Sequence, residues 1–305
     1  LILLFTLFLL SDSLIFSQDT FSIVAVDSIT GEVGSAGASC VDMSNFPNYD
    51  VDFLGELFPG VGAINTQAWY LEANQENARN RMNAGDTPSQ IIEWLENNDA
   101  QNQPQKRQYG IVRIVNGSPQ TAAFTGTLTD DYKNHVLGPN YSIQGNILKG
   151  QEVLDSMEAR FLREEGDLAC KLMAALQGAK MVGADSRCFS NGTSSLFSFV
   201  KVAQTDDVFG EPSFLLTVKT ANDAGIEPID SLQVLFDEVK TCTTVSIKDL
   251  NNEYPINIFP NPVTDQLKLE SNSQDRLQVE MYNTDGKLIC HNEFNGNFEI
   301  NMKNL

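Results

Sequence analysis

Four short polar runs carry the groups in this 305-residue chain that could do chemistry. Gln67 falls on a predicted strand among apolar neighbours, where a buried primary amide needs hydrogen-bond partners. Arg107-Gln108 opens another strand, and a guanidinium there can grip a carboxylate through two parallel bonds. Gln144-Gly145-Asn146 lies in a Gly- and Asn-rich stretch where backbone can approach a ligand and Asn146 can donate to an oxyanion. Asp185 and Arg187 either alternate along a strand face or flank a turn; as a pair they would orient a substrate or hold a loop. For each of these groups an internally satisfied network is the alternative reading. His135 is the one histidine ahead of the C-terminal region, so a His-dependent triad has a single candidate base, kept here as secondary.

Composition removes several function classes. Lys and Arg number 20 against 40 Asp and Glu, a formal charge of −20 with no basic stretch. Nucleic acids and anionic membrane surfaces are therefore poor partners, because both need clustered cations to displace counterions. Two histidines and five scattered cysteines, without C-x-x-C or H-x-x-x-H spacing, predict no metal site, and no cofactor motif is present. With 42% hydrophobic residues the chain can build a packed core.

The elements that must position these groups follow from periodicity. Residues 1–10 (LILLFTLFLL) are apolar but too few for a bilayer core, which needs about 20 residues. They read as the core of a secretory signal peptide spanning 1–17, of which the start is missing, so no stable membrane span is expected. Strands are predicted at 21–26 and 32–39 as a hairpin, then at 61–69, with a strand pair at 108–115 and 120–126 around Asn116-Gly117. Helices are predicted at 71–83 and at 87–98, the second with Thr87 as N-cap and Pro88 in the first turn. Residues 130–150 read as one long polar loop, which by its length suggests function. Two amphipathic helices at 153–164 and 168–179, a strand pair at 195–203 and 213–219, and a helix at 229–240 complete the main domain, 18–240. This order of blocks favours an α+β fold of helices layered on antiparallel sheets over a parallel doubly wound sheet. A linker at 241–254 leads to a small all-β sandwich at 255–305 whose pattern stops before it is complete.

Two families are resembled. The segment Phe259-Pro260-Asn261-Pro262, with the later Tyr282-Asn283-Thr284-Asp285-Gly286-Lys287, resembles the type A sorting domain of the type IX secretion system. That likeness implies Sec export, then passage through the type IX machinery to the surface or the medium. The main domain resembles the DUF1028 family. The residues that carry this likeness are Thr20 through Asp27, Gly31-Glu32-Val33-Gly34, Gly62-Ala63 leading to Thr66-Gln67-Ala68, and Arg107-Gln108-Tyr109-Gly110. Two longer blocks follow, Gly138-Pro139-Asn140-Tyr141-Ser142-Ile143-Gln144-Gly145-Asn146-Ile147-Leu148 and Gly183-Ala184-Asp185-Ser186-Arg187; Ala184 stands where the family has a second Gly.

The second resemblance implies an Ntn-hydrolase-like four-layer αββα sandwich. In enzymes of that type an N-terminal Thr, Ser or Cys attacks a carbonyl while its own α-amine serves as base; that amine titrates at about 7.7–8.0. Thr20 begins the resembling region and is the candidate nucleophile, provided processing removes Gln18-Asp19; otherwise it is an ordinary strand residue. Gln67, Arg107, Gln108, His135, Gln144, Asn146, Asp185 and Arg187 would line the site. Cys40 and Cys188 lie near the same motifs and are expected to form a disulfide in an exported protein. Cys170 is expected in the core, and Cys242 and Cys290 have no assigned role. The implied activity is hydrolysis of a small amide or peptide of extracellular or envelope origin. A non-catalytic module that binds the same class of ligand, cell-wall fragments included, is the alternative, and a homo-oligomer stays open.

Overall fold

The computed structural model describes residues 20–242, 256–259, 263–271, 276–282 and 288–304. The predicted export segment 1–17, nearly all of the linker and the Pro260-Asn261-Pro262 and 283–287 motif residues lie outside these. The described residues form two compact units, one on each side of the linker.

Fifteen strands and five α-helices are described. In the first unit β1 (Thr20–Val26), β2 (Val33–Ser39), β7 (Asn134–Leu137), β8 (Tyr141–Gly145), β9 (Phe197–Ala203) and β10 (Phe214–Lys219) form an antiparallel sheet of order β10-β9-β2-β1-β8-β7. A second antiparallel sheet runs β3-β4-β5-β6, from β3 (Gly55–Phe58), β4 (Gly62–Gln67), β5 (Gln108–Val115) and β6 (Ser118–Thr125). The helices are α1 (Glu72–Ala84), α2 (Pro88–Asn97), α3 (Gln151–Arg163), α4 (Leu168–Ala179) and α5 (Pro228–Val239).

Local chemistry places the helix starts. Thr87 accepts from the Gln90 N–H while the Gln90 side chain returns to the Thr87 N–H, a reciprocal cap with Pro88 in the first turn. Asp167 caps α4 by accepting from the Cys170 N–H at 3.1 Å.

Strand alternation then sorts residues by face. Phe21, Ile23 and Ala25 of β1 join Ile143 of β8, Met157 of α3, Leu172 of α4 and Phe236 of α5 in one apolar core against the larger sheet. Ile64 of β4 and Ile111 of β5 pack with Met82 of α1 and with Ile91 and Leu95 of α2 against the smaller sheet. The remaining faces meet each other through Val24, Val33, Leu57, Ala63, Val112 and Ala203. Phe197 and Phe199 fill a further cluster with Leu54, as their apolar character predicts.

Three strands depart from the sequence expectation. The stretch 130–150 is not one loop: it holds β7 and β8, and β8 lies beside β1 inside the larger sheet. Tyr141-Ser142-Ile143-Gln144 does alternate, with Ser142 and Gln144 facing the other sheet, but the pattern is short and sits among Gly and Asn residues that read as loop. β3 is only four residues long and follows directly on the turn at 51–54, which hides it from periodicity.

The second unit is small and all-β. β11 (Ile256–Phe259), β12 (Gln266–Ser271) and β15 (Asn297–Asn301) form one antiparallel sheet, and β13 (Leu277–Tyr282) pairs with β14 (Leu288–Phe294) in another. Leu269, Phe294 and Ile300 are its buried apolar residues.

Candidate functional site

At the end of β1 that begins with Thr20, the layer between the two sheets turns from apolar to polar. Ser22 on β1 and Gln144 on β8 are register partners, as are Gln67 on β4 and Gln108 on β5. Ser22 donates to Gln67 Oε1 at 2.6 Å and accepts from Gln144 Nε2 at 2.6 Å, stitching one sheet to the other. Gln67 Nε2 donates to Gln108 Oε1 at 2.7 Å, and Asn146 Nδ2 donates to the same oxygen at 2.9 Å. Ser142 donates to Gln144 Oε1 at 2.9 Å. Ser22, Gln67, Gln108, Ser142, Gln144 and Asn146 are all buried.

The amide orientations are determined by the backbone. Gln108 Nε2 faces the carbonyls of Gly145 at 2.9 Å and Asn134 at 3.1 Å, so it must be the donor end. Gln108 Oε1 therefore accepts, and both amides that reach it, Gln67 and Asn146, present their NH2 groups. Gln108 Nε2 also meets Thr125 Oγ1 at 2.9 Å, and that hydroxyl lies 2.9 Å from His135 Nδ1. Which of the two groups donates depends on the imidazole tautomer. Burial pushes the His135 pKa below the ordinary imidazole value, which favours the neutral ring.

The close approach needs glycine. A Cβ on Gly110 of β5 would sit 1.9 Å from Gln144 Oε1, and one on Gly55 of β3 would sit 2.4 Å from Ser35 Oγ. Ser35 in turn donates to Asn65 Oδ1 at 2.6 Å, a second link between the sheets.

Asp185 and Arg187 stand at the same end of the sheet. Asp185 caps a 3-10 turn, Ser186–Cys188, and Arg187 lies within it, so the pair belongs to a turn and does not share a strand face. Its buried carboxylate accepts from Arg187 Nε at 3.0 Å and Nη2 at 2.7 Å, and from the Cys40 N–H at 2.8 Å. Arg187 Nη2 also meets Ser39 Oγ at 3.4 Å, and Ser39 is the register partner of Thr20. Cys40 and Cys188 are joined in a disulfide across this junction, with Cα atoms 5.6 Å apart. A second disulfide joins Cys170 of α4 to Cys242, a pairing that no sequence motif indicates.

Arg107 is the departure. It neighbours Gln108 in sequence and therefore points to the opposite side of the sheet. There its Nε donates to Asp99 Oδ2 at 2.8 Å, its Nη2 to Gln101 Oε1 at 2.9 Å, and its Nη1 to the Trp69 carbonyl. Burial alone would raise the Asp99 pKa, but the bonds from Arg107, the Gln103 N–H, Asn74 and the Gln101 N–H outweigh it and hold the carboxyl at about 2. The carboxylate that Arg107 grips is thus the chain's own, and its fork is not offered to a ligand.

Sequence reasoning also missed Ser22 and Ser142. The signal was present: each is a small hydroxyl placed two residues from another inward position on a strand whose opposite face is apolar. A cavity of about 1070 Å³ lies elsewhere, lined among others by Tyr49, Asp52, Phe53, Glu72, Lys201 and Phe209, and contains none of the predicted site residues. No group of three or more His, Cys, Asp or Glu that could hold a metal ion occurs among the described residues.

Residues 20–209, more than half of the chain, match a sequence family described as a family of unknown function, DUF1028. The chain belongs to the DUF1028 family. Residues 257–305 match the secretion system C-terminal sorting domain. The protein is accordingly sent through type IX secretion to the cell surface or the extracellular space. The crystal structure of protein SPO2555 from Silicibacter pomeroyi, itself assigned to DUF1028, is similar with a TM-score of 0.57 and 23% identity, over 73% of this chain and 90% of that one. That similarity establishes a shared fold for the DUF1028 domain. No match is found among curated proteins.

Proposed function

We propose that the DUF1028 domain, taken as residues 18–240, is an Ntn-hydrolase-like αββα sandwich that hydrolyses an amide bond with Thr20 as nucleophile. One observation carries the reading: the polar network between the sheets is concentrated at the end of β1 that Thr20 begins. Helices pack on the outer face of each sheet, which is the layering such a sandwich requires. Once processing frees the Thr20 amine, Oγ bonds to the amide carbon while its proton passes to the α-amine. The C–N bond breaks as that proton moves to the leaving nitrogen, and water then repeats the sequence to release the acid and restore Thr20. Asp185 and Arg187 hold the adjacent strand end through Ser39 and the Cys40 N–H. The substrate class is a small amide or peptide of extracellular or envelope origin.

Mass spectrometry of the mature secreted protein is the first test, with Thr20 expected at the N-terminus. A chain that keeps Gln18 and shows no internal cleavage overturns the proposal. Thr20→Ala is then expected to lower turnover of any amide the protein cleaves at least 10³-fold, on the scale of losing a covalent nucleophile; unchanged turnover also defeats it.

A non-catalytic binding module is the second reading, and the 1070 Å³ cavity favours it. Its size suits a small ligand. Ligand binding that survives Thr20→Ala, without turnover, is the outcome it requires.

A further inference from the structure

One polar atom in the network has no counterpart. Asn146 is fully buried, and its Oδ1 has no hydrogen-bond partner among the described residues. A buried amide oxygen left unpaired is costly, so such an atom calls for a donor. The orientation argument makes this atom an oxygen: two backbone carbonyls determine Gln108, and Gln108 Oε1 then takes the Asn146 NH2. An exchange of O and N at Asn146 would set two acceptors against each other 2.9 Å apart. Asn146 is therefore an acceptor at its open end.

The register indicates which donor. The ladder of β1 and β8 ends with Phe21 facing Gly145, and continuing its antiparallel register by one position would bring Thr20 beside Asn146. We infer that Asn146 is a positioning residue whose Oδ1 accepts a hydrogen bond from the free α-amine of Thr20. This assignment rests on the hydrolase reading above. The bond holds the amine beside the strand end and stabilises its protonated form, because an ammonium N–H makes the stronger bond to an amide oxygen. Gln108 acts one step removed, by turning Asn146 the right way round.

The pKa of the Thr20 amine tests the inference without any substrate. It is read in full-length mature protein from the pH dependence of N-terminal acylation by acetic anhydride, followed by mass spectrometry of the first peptide. Asn146→Asp sets a carboxylate beside the amine and is expected to raise that pKa by about one unit. Asn146→Ala removes the acceptor and is expected to lower it by about half a unit. Shifts in opposite directions cannot come from general loosening, which would move both variants towards the ordinary value of about 7.7–8.0. Should the Asp variant fail to fold, Asn146→Gln, which keeps an amide oxygen, is expected to retain the pKa that Asn146→Ala loses, and equal falls in the two overturn the role. An unchanged pKa in folded protein that begins at Thr20 overturns the role of Asn146 and leaves the hydrolase reading standing. A mature chain that begins elsewhere removes both.

Discussion

Arg107 and Gln108 show how much one position along a strand decides. The two are equally polar and adjacent, yet Gln108 joins the inter-sheet network while Arg107 is spent on Asp99. Arg107 and Asp99 are both buried, with Asn74 and the backbone N–H groups of Gln101 and Gln103 completing the carboxylate shell. Arg107→Leu would leave that carboxylate uncompensated, so a loss of about 3–5 kcal/mol is expected in chemical denaturation. A residue whose work is ligand binding would show far less, and a change below about 1 kcal/mol would argue that Asp99 finds another partner. Gln67 was legible as a candidate because a primary amide on an apolar strand needs partners, and Gln144 and Asn146 because they flank a glycine in a polar stretch. Which atom faced which was not legible, since it depends on Gly145 and Asn134 carbonyls that reach Gln108 from other strands.

At the scale of elements, the hairpin of β1 and β2 and the helices α2 and α4 were readable from alternation and caps, which are local. β8 was hidden, because its alternating stretch is short and lies between Gly- and Asn-rich flanks that read as loop. Its packing depends on Gly110 of β5, directly above Gln144. Gly110→Ala must displace the Gln144 amide from Ser22 and Ser142, at an expected cost of about 1–3 kcal/mol. The same substitution in a Gln144→Ala background should cost clearly less, because the clash is then gone. A double-mutant cycle in urea reads the coupling, and equal costs in both backgrounds would show that the contact is not what requires glycine.

The first unit as a whole is tied by covalent links as well as by packing. Cys170 and Cys242 are 72 residues apart and join α4 to the segment that follows α5. Closing a loop of that length restricts the unfolded chain, so Cys170→Ser with Cys242→Ser is expected to cost about 2–5 kcal/mol and to lower Tm. Oxidised wild type and the double variant compared by calorimetry provide the check, and equal Tm values would show that the link adds nothing. Export through type IX secretion places both disulfides where they persist. By itself the sequence determined the export route, the family and the layered α+β class, because these reside in contiguous motifs and in the period of apolar residues. It also determined the pairing of Cys40 with Cys188, through motifs that cluster. Tertiary structure alone decided that Arg107 turns away, that Ser22 bridges the sheets, and that Asn146 ends in an open acceptor. Those outcomes turn on strand register and on backbone groups contributed by segments distant in sequence, and no local pattern encodes either.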